Sequence, residues 1–237
     1  MDAHQREFAN PFGMDADCRN CEALCETRQN VVHGYGDVGG EFVVVGEAPT
    51  AGADAAGVPF VGDAAGERVL SAFADLGFVR SGPGLEGSGA AEAADVAEGA
   101  DGAADSDASA GVEPDVQNVF FTYLTRCRHP DRAPADDEVL ACEPFLNAEI
   151  RMINPQIIVP VGQRALEELA VEYTTRRPES FDAAAEHATT VRGRGFELVP
   201  MADPETLTDD DVAAFVEHMR ENVLSRDYRQ TKGRQSR

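Results

Sequence analysis

Five cysteines, at positions 18, 21, 25, 127 and 142, and a glutamate at position 47 are the residues whose types and spacing could carry chemistry here. Cys18 and Cys21 form a C-x2-C pair. Cys127 closes an apolar run, and Cys142 lies fifteen residues further on, inside a helical pattern. Soft thiolates brought together in a tetrad select an iron–sulfur cluster or zinc. The odd count, with no basic-then-apolar leader at the N-terminus, favours ligation or catalysis over disulfides. Glu47 stands in Gly46-Glu47-Ala48-Pro49-Thr50, directly after the apolar run Phe42–Val45. A carboxylate at the carboxyl end of a buried strand sits where open α/β sheets meet their ligands. Phe60, in Gly57-Val58-Pro59-Phe60-Val61-Gly62, is placed to offer an aromatic face nearby.

The elements that would position these groups are legible. Phe42–Val45, Val119–Leu124, Ile157–Val161 and Phe196–Val199 are short, continuous and β-branched or aromatic, as strands buried on both faces are. Helical periodicity covers Ala65–Leu76, Asp136–Ile153, Gln163–Leu169 and Asp209–Leu224, the last with Thr208 as N-cap and an acidic first turn. Alternation of this kind predicts an α/β three-layer sandwich, a four-stranded parallel sheet with helices on both faces. The expected organisation is a single domain over residues 1–224, with a disordered acidic insertion at 81–116 and a basic tail at 225–237. The insertion has no Lys or Arg and almost no large apolar residue, so it cannot offset its own ordering entropy.

The chain carries a net charge of −23, and its 20 basic residues include one lysine, Lys232. Acidic residues spread along the whole length read as adaptation to high salt, where the Debye length shrinks to about 3 Å. That reading also weakens the usual argument that an acidic protein avoids DNA. No run approaches the roughly 20 apolar residues that span a bilayer. The expectation is a soluble, cytoplasmic monomer with no membrane partner.

Taken in order, C-x2-C, Gly46-Glu47-Ala48-Pro49, Gly57-x-Pro59-Phe60-Val61-Gly62-x-Ala64/Ala65-Gly66, Cys127-Arg128-His129-Pro130, Cys142-x2-Phe145-Leu146 and Asn154-Pro155-Gln156-Ile157-Ile158 resemble the family 4 uracil-DNA glycosylases. The resemblance runs from about Cys18 to Arg164 and returns near Pro204. It implies a 4Fe–4S cluster held by Cys18, Cys21, Cys127 and Cys142, with zinc as the alternative metal. Cys25 is then a small buried hydrophobe or a substitute ligand. It also implies DNA as partner, single- or double-stranded, with a damaged base flipped into a pocket. Glu47 would position water or stabilise the cationic sugar, Phe60 would stack on the base, and Ala48 would border it. Arg126, Arg128 and Arg132 are phosphate contacts or plain surface arginines.

Two positions depart from the family pattern. Tyr123 stands where an Asn reads the pyrimidine edge, and Asp203 stands where a His of an HP motif stabilises charge on the departing base. A tyrosine offers one hydroxyl in place of an amide's donor and acceptor. A carboxylate at 203 would repel a negative charge on uracil O2, and would help only if protonated, or if it served instead as a base or a stabiliser of the oxocarbenium ion. The expected activity is hydrolysis of the N-glycosidic bond of uracil or another deaminated base; the alternative is a catalytically silent binding relative. None of the five histidines has an expected catalytic role, His187 being the one closest to interest.

Overall fold

The computed structural model describes residues 17–82 and 113–226. The sheet strands in chain order are β1 (Tyr35–Gly36), β2 (Phe42–Gly46), β3 (Val79–Ser81), β4 (Asp115–Val116), β5 (Val119–Tyr123), β6 (Ile157–Pro160), β7 (Val191–Arg192) and β8 (Glu197–Leu198). The helices are α1 (Glu22–Thr27), α2 (Ala51–Ala56), α3 (Ala64–Asp75), α4 (Asp136–Ile153), α5 (Gln163–Tyr173) and α6 (Asp209–His218), and a π-helical turn, Met219–Leu224, continues the last.

The central sheet has six strands in the order β1-β5-β2-β6-β8-β7. Its inner four are parallel, as expected, and each edge carries a two-residue antiparallel strand that the expectation lacked. The side-chain period of two sends alternate residues to opposite faces. Phe42, Val44, Phe121, Tyr123, Ile157 and Val159 pack on one side against Val69, Leu70 and Phe73 of α3 and Phe215 and Val216 of α6. Val43, Val45, Phe120, Ile158 and Leu198 pack on the other against Leu146, Ile150 and Ile153 of α4 and Leu166 and Leu169 of α5. Both faces are covered, which is why these strands read as unbroken apolar runs.

Other differences are local. Thr208 caps α6 as expected, in a reciprocal capping box with Asp211. The fourth parallel strand is only Glu197–Leu198, and α5 runs to Tyr173. The ends of the acidic insertion are structured, because β3 pairs antiparallel with β4. The expected disorder between them, at 83–112, and the tail from 227 onward lie outside the described residues. Arg226, placed in that tail, is instead held by both carboxylate oxygens of Glu197. No helix among the described residues is long and apolar enough to cross a membrane.

Candidate functional site

The parallel strands end at a common edge, and three segments extend them. Leu124 N–H donates to Gly46 O at 2.8 Å and Thr125 N–H to Glu47 O at 3.2 Å, so the ladder between β2 and β5 runs on past Gly46 and fixes the backbone of Glu47. Val161 and Met201 form a parallel bridge beyond β6 and β8, which places Asp203 two residues past the same edge. Arg68 of α3 donates to Pro204 O at 2.9 Å and ties the Asp203 loop to the neighbouring helix. The result is a cleft of about 680 Å³ lined by Glu47, Ala48, Phe60, Tyr123 and Asp203, among others. All the base-facing and catalytic candidates of the sequence therefore meet in one cavity. A second cavity of about 600 Å³ shares Glu47, Ala48 and Thr50 with it and adds Arg128, His129 and Arg132.

Phe60 is held in an unusual way. Its φ is +61°, in the left-handed region that bulky residues avoid. Its buried N–H donates to the Tyr123 hydroxyl at 2.8 Å, and the two rings lie 4.8 Å apart, tilted by 35°. Two glycines make the arrangement possible. A Cβ on Gly46 would come within 2.7 Å of the Tyr123 ring, and one on Gly66 within 2.4 Å of Phe60 O. The Tyr123 side chain is buried, and burial pushes its phenol above the ordinary value, so it stays a neutral hydroxyl. Tyr123→Phe is expected to leave the Phe60 N–H buried and unpaired, costing about 1–3 kcal/mol, to be read from the urea midpoint.

Glu47 is half-buried. Burial raises its carboxyl above the usual range, the nearby Arg164 guanidinium opposes that, and Asp203 adds to it. Arg164 is itself shared between Asp136 at 2.7 Å and Glu168 at 2.8 Å. Thr50 caps α2 by accepting from Ala53 N–H and donates its own hydroxyl to Asp63, the cap of α3. Two helix starts are thus pinned together beside Glu47.

The three arginines near Cys127 separate. Arg126 is not a phosphate contact: its side chain is 1% exposed and paired with Glu149 at 2.5 Å. Glu149 also accepts from Thr122 Oγ1 at 2.7 Å. Arg132 is bound by both oxygens of Glu138 at 2.7 Å each. Arg128 is half-buried and borders the second cavity. Two of the histidines given no catalytic role have defined partners. His187 accepts from Ala202 N–H at Nδ1 and therefore donates from Nε2 to Asp211 O, and the His218 ring meets the Thr190 hydroxyl at 2.9 Å.

Cys127 and Cys142 are buried with Leu24 and Val31, and Cys18 and Cys21 pack against them from the N-terminal segment. Arg28 donates to Cys127 Sγ at 3.1 Å and to Cys18 O at 2.5 Å. Burial and the neighbouring thiols push Cys21 up to about 12, and burial pushes Cys127 up to about 11. Cys25 donates weakly to Cys18 O at 3.4 Å. Although these four cysteines pack into one patch, the described residues contain no group of three or more His, Cys, Asp or Glu side chains disposed to hold a metal ion.

Residues 33–222 match the family described as the uracil DNA glycosylase superfamily. Among curated proteins, the chain is 29% identical over 180 residues to the type-4 uracil-DNA glycosylase of Sulfurisphaera tokodaii, covering 76% of this chain and 61% of that one. It is 31% identical over 150 residues to the type-4 enzyme of Saccharolobus solfataricus (62% and 52% of the two chains) and 32% identical over 164 residues to that of Pyrobaculum aerophilum (68% and 64%). The chain thus spans between half and two thirds of these relatives' lengths.

Proposed function

The chain belongs to the uracil-DNA glycosylase superfamily, and from that premise we propose that it is a DNA-repair enzyme that hydrolyses the N-glycosidic bond of a damaged base flipped out of DNA. The observation that carries this reading is the shared cleft of Glu47, Phe60, Tyr123 and Asp203 at the carboxyl edge of the parallel strands. A flipped base enters beside the Phe60 ring, with Ala48 bordering it. The Glu47 carboxylate lies against the sugar, where it orients the attacking water and opposes the positive charge growing at C1′. A preplaced group facing developing charge lowers a barrier strongly, because it needs no reorganisation at the moment of reaction. As the C1′–N bond breaks, its electron pair leaves with the base. Water oxygen bonds to C1′, and Glu47 takes up the water's proton. Asp203 lines the same cleft and, on this reading, stabilises the same cationic sugar. The relatives are named uracil-DNA glycosylases, so uracil and other deaminated bases are the first lesions to test.

Cys18, Cys21, Cys127 and Cys142 would hold a 4Fe–4S cluster, with zinc the alternative. Four soft sulfur donors in one patch suit either metal, although the described residues do not hold them in a ready-made metal-binding arrangement. When bound, such a centre supplies a cross-link between the N-terminal segment and the segment linking β5 to α4. Brown protein with broad absorbance near roughly 400 nm identifies the cluster, and colourless protein with stoichiometric zinc identifies the alternative.

The reading is tested by incubating the metal-loaded protein, in molar KCl, with oligonucleotides carrying uracil, hypoxanthine or xanthine, then cleaving abasic sites and resolving the strands on a gel. Cleavage at a lesion is the expected result. No cleavage of any of them contradicts the reading, and gain of uracil excision in Tyr123→Asn/Asp203→His would then identify a silenced site on a working scaffold.

The pH profile checks the role of Glu47. A carboxylate that must be ionised gives activity that rises with pH through its own pKa. Because that pKa is raised, the acid limb of kcat/KM is expected at higher pH than an ordinary glutamate gives. Asp203→Asn removes one raising influence and moves the limb to lower pH, whereas Arg164→Gln removes the opposing cation and moves it to higher pH. An acid limb unmoved by either change removes Glu47 as the titrating group.

A further inference from the structure

We infer that this cleft takes a positively charged, N-alkylated base, such as 7-methylguanine or 3-methyladenine, in preference to a neutral deaminated one. The inference rests on the glycosylase reading and goes beyond it in naming the substrate class. Four carboxylates line the cavity, those of Glu47, Glu167, Asp203 and Glu205, while the Phe60 and Tyr123 rings at its floor are buried and packed on each other. The opposing charges are fewer. Arg164 lines the cavity but is already divided between Asp136 and Glu168. The N-terminus of α5 begins at Gly162 with no side-chain cap and contributes the equivalent of roughly half a positive charge.

The chemistry of the leaving group makes this imbalance matter. Uracil departs from C1′ as an anion, and a site that expels it needs donors or positive charge around the base. At the two positions where the family pattern puts such donors, this chain has a phenol and a carboxylate. The Tyr123 hydroxyl oxygen accepts from the Phe60 N–H, and a phenol lacks the paired donor and acceptor with which a carboxamide reads a pyrimidine edge. A purine methylated at N7 or N3 carries a positive charge before the bond breaks. When the C1′–N9 bond ionises, the electron pair goes to the base and neutralises it, so the departing group needs no anion-stabilising donor. Carboxylates attract the charged base in the bound state. They also distinguish it from the four undamaged bases, which are neutral. Glu47 retains its task at C1′, because the sugar cation and the attacking water are common to both classes of substrate.

The test uses the full chain and two DNA duplexes, one methylated with dimethyl sulfate and one containing uracil, with the released bases quantified by chromatography against protein-free controls. The expected result is release of 7-methylguanine or 3-methyladenine well above the spontaneous rate. Asp203→His is expected to lower that release by about tenfold, the scale of one charged contact, and to raise release of uracil. Glu205→Gln, an exposed change, is expected to lower methylpurine release in the same direction without raising uracil release. Release of uracil with methylated bases leaving only at the protein-free rate overturns the inference and leaves the glycosylase reading standing. Release of neither base overturns the inference, and the hypoxanthine- and xanthine-bearing strands then decide the glycosylase reading.

Discussion

Glu47→Gln is expected to lower base release by about 10²–10⁴-fold, the usual contribution of a positioned acid–base group, while the fold and DNA binding persist. The substitution is nearly isosteric and removes only the charge. The residue's place does not depend on its side chain, since its carbonyl accepts from Thr125 N–H in the continuing ladder of β2 and β5. On the proposed mechanism, a neutral amide would leave the cationic sugar without this counter-charge and the water without an acceptor for its proton. Single-turnover release of the base, alongside a binding titration with lesion-bearing DNA, separates the two effects. Retention of more than about a tenth of the activity would show that another group acts at C1′.

Arg126→Ala is expected to cost about 3–5 kcal/mol of stability, because it strands Glu149 in the core as an uncompensated charge. The pair sits with side-chain exposures of 1% and 3%. Burial pushes the Glu149 carboxyl up, and Arg126, Thr122 and the Gly34 N–H hold it down against that. Arg126 also donates to Tyr123 O, so the pair ties the strand end that carries Tyr123 to α4, which carries Cys142. Removing both charges together, as Arg126→Met/Glu149→Leu, is expected to recover most of the loss, since the penalty lies in the unpaired charge. Urea denaturation of the single and double variants measures this. A single variant that unfolds at the parental midpoint would contradict the role given to the pair.

Much of the architecture is written in local sequence. The four apolar runs and the helix over Asp136–Ile153 follow from periodicity, and Thr208 follows from cap chemistry. Glu47 and Phe60 are legible as neighbours because strand ends and Gly-flanked turns have few places to go. The remainder depends on contacts between distant segments. Strands of two residues, Tyr35–Gly36 and Val191–Arg192, have no period to detect. Arg126 reads like its neighbours Arg128 and Arg132 until the fold brings Glu149, 23 residues away, against it. The left-handed backbone of Phe60 has no sequence signal either, because glycine is the residue expected there. Its compensation comes from a hydroxyl 63 positions later.

Mass spectrometry of the DNA strand itself is the most direct check on a glycosylase. An oligonucleotide with one damaged nucleotide, incubated with metal-loaded protein, is expected to lose the mass of the base and gain that of a hydroxyl at C1′. The same strand treated with the Glu47→Gln variant is expected to stay intact over the same interval. Unchanged mass with every lesion, deaminated or alkylated, from folded protein, with or without the proposed metal centre, would contradict hydrolysis of the N-glycosidic bond as its function.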